Sequence, residues 1–307
     1  VPVSFFLQNL KNRLNKTYFV ITFAPHSEKE IFMRKILLAL GLAALLPVNV
    51  FAWDRSYYGN DSQVNFNKVT SVEIYGWKSN IDGNLNVDGM VLDLDSEASF
   101  DDENRFGFRV SHVLSEKSVL QLSYMKNEHS GTINKAVTFD GNTYNVGASA
   151  KIENSWFDLT YAHNLGRSDS EDRNGKKLEA FYIDGLFGVK FSSAEVSVAG
   201  TSGLSYLEDS WSEDFPVPYI GVAAGGQLSE NLWARGYLKY INVNAGGNDA
   251  LHHDYGINLA LKLNPNSQDT EWFVDLGYRG VKYDLDSDND NAEISYSGPT
   301  LGVFARF

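Results

Sequence analysis

The sequence predicts an all-β chain folded as a closed antiparallel transmembrane β-barrel of about ten strands, with eight or twelve also admissible. Three observations predict it. Apolar residues recur with a two-residue period through most of the chain to its end, and no helical period competes with it. Aromatic residues make up 13% of the sequence, which suits strands that carry aromatic girdles at two membrane interfaces. The last segment, Leu301-Gly-Val-Phe-Ala-Arg-Phe307, alternates to its final aromatic residue where a soluble domain usually frays into polar ones.

The elements follow in order. Residues 33–52 read as a secretory signal peptide: Met33-Arg-Lys35 is a basic head, residues 36–48 an apolar run too short to cross a bilayer as a helix, and Ala52 the small residue before the cut. Residues 1–32 read as a gene-start artefact, because Lys29-Glu30 can be encoded by a purine run that would act as a ribosome-binding site just ahead of Met33. The barrel is then expected to be residues 53–307. Removing residues 1–52 takes away six basic and two acidic residues, a net +4, so the charge goes from −13 to −17. So acidic a surface, with no basic cluster, excludes nucleic acid as a partner. The chain has no cysteine, which excludes disulfides and thiolate chemistry.

Strands are expected near residues 69–79, 104–114, 118–128, 148–163, 178–191, 216–227, 232–244, 252–263, 271–285 and 294–307. Their alternation is clear in places. Tyr255, Ile257, Leu259, Leu261 and Leu263 make a face suited to hydrocarbon, while Asp254, Gly256, Asn258, Ala260 and Lys262 make one suited to water. Tight polar turns at residues 115–117, 229–231 and 264–267 alternate with longer links at 80–103, 129–147, 192–215 and 286–293. Short turns are expected on the periplasmic side and long links outside. A soluble sandwich would also alternate, but it has no use for a secretion signal followed by a terminal strand of this kind.

The closing segment resembles the C-terminal signal of Gram-negative outer-membrane β-barrels, and the chain as a whole is similar to small barrels of the OmpW and OmpA kind. The resemblance implies that Leu301, Val303, Ala305 and Phe307 face lipid, with Thr300, Gly302, Phe304 and Arg306 inward. It further implies export by a cleaved signal peptide, localisation in the outer membrane, recognition by the outer-membrane assembly machinery, and contact with outer-membrane lipid and lipopolysaccharide. It names no substrate and no cofactor.

Function is then read from the inward face. Glu73, Arg105, Arg109, Asp158, Asp184, Arg235, Lys239, Asp254, Lys262, Asp275, Arg279 and Arg306 fall on it. Mixed signs in a narrow barrel must pair or stay wet, so a plugged, ion-paired lumen is expected. The first reading is a non-enzymatic barrel with a structural, surface-interaction or limited solute-passage role. The alternatives are a narrow channel for small or amphiphilic solutes, as the OmpW resemblance suggests, and an omptin-like or lipid-A-modifying hydrolase using His252 or His253 with Asp254 or Asp249 at the outer rim. One metal site is also expected. Asp93 and Asp95 in the first long link, and Asp284, Asp286 and Asp288 in the last, would lie side by side where first and last strands meet, and such oxygen ligands suit Ca²⁺ or Mg²⁺.

Overall fold

A computed structural model describes residues 70–307 apart from 88–89, 116, 172–176, 246–247, 265–269 and 288–289. The signal-peptide and gene-start readings of residues 1–52 lie outside the described residues, as does Asp288. In chain order the strands are β1 (Thr70–Val87), β2 (Met90–Asp93), β3 (Ala98–Phe100), β4 (Glu103–Ser115), β5 (Ser118–Ile133), β6 (Val137–Phe139), β7 (Asn142–Tyr144), β8 (Ser149–Glu171), β9 (Lys177–Ser202), β10 (Ser205–Ser229), β11 (Leu232–Ala245), β12 (Asn248–Lys262), β13 (Glu271–Ser287) and β14 (Asp290–Arg306). Ten of them, β1, β4, β5 and β8 to β14, each pair antiparallel with the next, and β14 returns to β1 to close the barrel. The closing ladder runs from Ser71↔Arg306 to Asn86↔Asn291. All ten expected strands are present.

The strands are longer than expected, mostly at the end of the long links, though β8, expected to end at residue 163, instead runs on at the other end to Glu171. β8, β9 and β10 have 23, 26 and 25 residues, whereas roughly 9–11 tilted residues cross a bilayer. The extra length of β9 and β10 lies on the side of the long links. Residues 192–215, expected as a link, are mostly a regular ladder from Phe215↔Ser192 to Ser205↔Ser202.

The side-chain pattern shows why the length was hidden. In the lower part of β8 the outward residues are Phe157 and Leu159, both about half exposed, and the inward ones are the buried Asp158 and Thr160. Above Trp156 the phase is kept but the polarity of the two faces reverses: Lys151 and Glu153 point out and the buried Ala150 and Ile152 point in. The polarity of β9 reverses at the same level. Phe187 and Phe191 are exposed below it, while above it Glu195 is exposed and Val196 and Val198 are buried. The register joins Lys126, Ser155, Ser193 and Asp214 in one row across β5, β8, β9 and β10. That row is a boundary: below it the outside is fit for hydrocarbon, and above it the outside is fit for water. Below it, Ile74, Phe106, Phe187, Ile257, Leu276 and Leu301 are among the large apolar side chains left exposed around the wall. A transmembrane barrel thus continues upward into a water-exposed β-structure with an ordinary apolar core.

That core is closed from above. β2 and β3 fold back as a short strap, and β6 and β7 form a hairpin turning at Asp140 and Gly141, both with positive φ. Met90, Leu92, Phe139 and Tyr144 from these pieces are buried against Trp77, Leu85, Ile152, Trp156 and Val198 of the staves. The Tyr144 hydroxyl donates to Asp209 of β10 at 2.5 Å, and Asn142 does so at 2.8 Å, fixing the hairpin to the wall.

Candidate functional site

The lumen below this core is the place where polar chemistry collects. Alternation aims every other residue of each stave inward, and in the membrane-spanning part many of those residues are charged or aromatic. At the lower end, Glu271 takes Lys262 at 2.6 Å and also Arg306, beside the stacked Phe273 and Phe304 rings, 4.4 Å between centroids. One level up, Glu73 pairs with Arg109 at 2.7 Å, and Asp275 pairs with Arg235 and accepts from Asn258.

The third level is the most enclosed. Asp254 receives Lys190 at 2.8 Å, Arg279 through two nitrogens at 3.1 and 2.7 Å, and the Tyr237 hydroxyl at 3.0 Å. Asp158 receives Lys239 at 2.5 Å and the Tyr219 hydroxyl. Lys190 and Asp254 are wholly buried. The cations also lie over rings: Arg279 over Trp77 and Trp156 at 5.3 and 5.4 Å, and Lys190 over Trp156 at 5.0 Å. Cation–π contact and bidentate pairing offset the desolvation of these charges, which the narrow lumen makes unavoidable.

Tyrosine is brought to this level by glycine on the neighbouring stave. Tyr219 is in register with Gly188, and a Cβ built there would lie 2.3 Å from the Tyr219 hydroxyl. The ring therefore lies flat on the wall where only hydrogen leaves room, and its hydroxyl reaches Asp158. Gly188→Ala is expected to lift Tyr219 off Asp158 and destabilise the barrel by about 1–3 kcal/mol, as overpacking does. Gly166→Ala meets nothing within 4 Å and is the control; urea unfolding of the two in lipid vesicles should separate them.

One gap lies among these charges. The gap bounded by Glu73, Arg109, Tyr237, Asp275 and Arg279 is about 20 Å³, room for about one water.

The inward set expected from the sequence is inward here, Glu73, Asp158, Asp184, Lys239, Asp254, Asp275, Arg279 and Arg306 being fully buried. Lys190 and Glu271 were missed. Lys190 has the same strand phase as Asp184, so alternation alone would have placed it inward.

The catalytic alternative is not assembled at a rim. His252 points inward, buried, 3.1 Å from Lys190 Nζ and stacked on Tyr283 with centroids 4.6 Å apart. His253 points outward and stacks on Tyr240 at 5.1 Å. Asp254 is held between cations beneath the apolar core. Consecutive strand residues face opposite sides, so His252 and His253 cannot serve one site.

The acidic links do not converge either. Asp93 Oδ1 accepts the N–H groups of Asp95 and Ser96 at 3.0 and 2.9 Å, capping its own turn, and the Ser96 N–H is the main reason its carboxyl is held below the usual range. Asp93 pairs across β1 with Asn84, Asn84 with Glu293 of β14, and Glu293 with Asp284 of β13. Three strand spacings, on the order of 14 Å, therefore separate Asp93 from Asp284. Asp286 is in register with Asp249 instead. Among the described residues no three His, Asp or Glu side chains are placed to hold a metal ion. The expectation that Asp93, Asp95, Asp284 and Asp286 would share an ion is corrected by this register.

No family model matches the chain, and no curated protein does. Similar solved structures include the outer membrane protease OmpT from Escherichia coli, at 10% identity, covering 78% of this chain and 97% of that one with a TM-score of 0.46. The translocator domain of the autotransporter NalP from Neisseria meningitidis is 10% identical, with 92% and 100% covered and a TM-score of 0.41. Ail of Yersinia pestis is 10% identical, with 78% and 99% covered and a TM-score of 0.36. The barrel assignment rests on the chain's own closed ladder.

Proposed function

We propose that this protein is an integral outer-membrane barrel that is sealed to solutes and serves to hold its extramembrane β-structure at the surface for interaction. The observation that carries the reading is the filled lumen: three ion-paired levels inside the membrane, the lowest beside stacked aromatic rings, then an apolar core and a strap above them. A conducting pore needs a continuous wet path, and the gap among the charges takes about one water. Placement in the outer membrane is supported by the closed ten-strand ladder and its apolar belt, since closure pairs the backbone groups that lipid cannot. A hydrolase is disfavoured by the enclosure of His252 and Asp254, which leaves no approach for a substrate and water together.

Planar bilayers test this. The refolded full chain is expected to insert without steady unitary conductance. Reproducible single-channel steps would overturn the sealed reading in favour of the narrow channel.

A further inference from the structure

Between β10 and β11 the barrel wall is not closed along its whole height; the opening starts at Tyr219, five residues below the boundary row, and runs upward. The β10–β11 ladder begins only at Ile220↔Tyr240, and β11 beyond Tyr240 pairs with β12 alone. β10, however, continues upward to Ser205, paired with β9 on one side. Residues 205–219 therefore form an edge strand whose second side has no backbone partner among the described residues.

The prolines show which groups that edge presents. Pro216 and Pro218 sit in the β9 ladder opposite Phe191 and Val189. Lacking an N–H, each can occupy only a pair that exchanges no hydrogen bonds with β9, so their backbone positions point toward the open side. By alternation Tyr206, Glu208, Ser210, Ser212 and Asp214 also aim N–H and C=O groups outward from the sheet, and all five residues are exposed. The prolines blunt the edge near the membrane, as edge strands usually are blunted. Between residues 206 and 214 no proline interrupts it.

The chemistry of this stretch selects its occupant. It carries Glu208, Asp209, Glu213 and Asp214 and no Lys or Arg. A second copy pairing antiparallel about Trp211 would set Glu208 against Asp214 and Asp209 against Glu213, like charges in opposed positions, which is unfavourable. A cationic strand meets the opposite field. We propose that residues 206–214 of β10 are a docking edge for an extended Lys- or Arg-rich peptide segment, which adds to the sheet as a further strand. Main-chain hydrogen bonds to the open groups provide the binding, and the exposed Glu208 and Asp214 choose the sign of the partner. This rests on the surface-interaction reading above, in that the hairpin must stand outside the bilayer.

The test uses the full chain refolded in lipid nanodiscs and a ten-residue peptide alternating Lys and Val, with the Glu–Val analogue as comparison. Hydrogen exchange at Tyr206, Glu208, Ser210, Ser212 and Asp214 is expected to slow with the Lys peptide and not with the Glu peptide. Ser210→Pro with Ser212→Pro removes two open donors and should weaken binding about tenfold or more. Glu208→Lys with Asp214→Lys keeps the backbone and should exchange the preference toward the Glu peptide. Equal binding of both peptides, protection elsewhere only, or a concentration-dependent dimer protecting these amides without peptide would each overturn the proposal. Labelling of Thr201→Cys on intact cells by an impermeant maleimide separates the two readings: failure to label defeats the surface reading itself, whereas labelling without peptide binding defeats only the docking edge.

Discussion

Asp254→Ala is expected to destabilise the barrel by about 3–5 kcal/mol, the range for removing one partner of a buried charge pair. The side chain is fully buried and answers two cations, Lys190 and Arg279, together with the Tyr237 hydroxyl. Removing it leaves both cations in a space that water cannot flood, since the gap nearby is about 20 Å³. Coulomb attraction is lost while the desolvation cost stays. Adding Lys190→Met should recover part of the loss, because one stranded charge is then removed, and the two effects should be clearly non-additive. Urea midpoints in lipid vesicles measure all three variants. A single mutant as stable as the parent, or strictly additive effects, would show that Asp254 does not neutralise this level of the lumen.

The membrane-spanning half of this fold was legible in the sequence, and the half above it was not. Below the boundary row each stave alternates between hydrocarbon and charge, as Phe157 and Asp158 do, and the contrast marks phase and strand at once. The lower ends of β5, β9, β11 and β13 fell within a residue of expectation for this reason. Above the row, Ile152 and Val196 still alternate with Glu153 and Glu195, but with inside and outside exchanged. The phase stays the same and only the polarity of the two faces changes. A reading that looked for apolar residues on the lipid-facing phase therefore lost β9 at residue 191, although it kept β8 from residue 148. The solvent changed there, and the strand did not.

The site was legible in its composition and hidden in its pairing. That charges of both signs would share the lumen follows from alternation; that Asp254 would meet Lys190 across the barrel follows from curvature, which no single strand records. The acidic links failed for a related reason. Closing β14 on β1 does bring the first and last strands together, but the register sets Asp93 and Asp284 on opposite flanks of that pair. Adjacency of strands did not amount to adjacency of side chains.

The position of the boundary row is itself testable, with an effect nearly as large. Phe187 and Ser193 are on β9, on the same outward face, both exposed. Phe187 lies near the middle of the apolar stretch that runs from Phe181 to Phe191, and Ser193 lies on the row with Lys126 and Asp214. An arginine near the bilayer midplane costs roughly 2–4 kcal/mol, falling to about 0–1 near the interface. Phe187→Arg should therefore lower folding stability in lipid vesicles by that larger amount, while Ser193→Arg should change it little and can pair with Asp214 across the ladder. A soluble barrel with the same coordinates would tolerate both, since both residues would then face water. Equal urea midpoints for the two variants would place the boundary elsewhere, or deny the bilayer altogether; a thicker bilayer should instead bring Ser193→Arg toward the cost of Phe187→Arg, as its longer hydrocarbon core reaches the row.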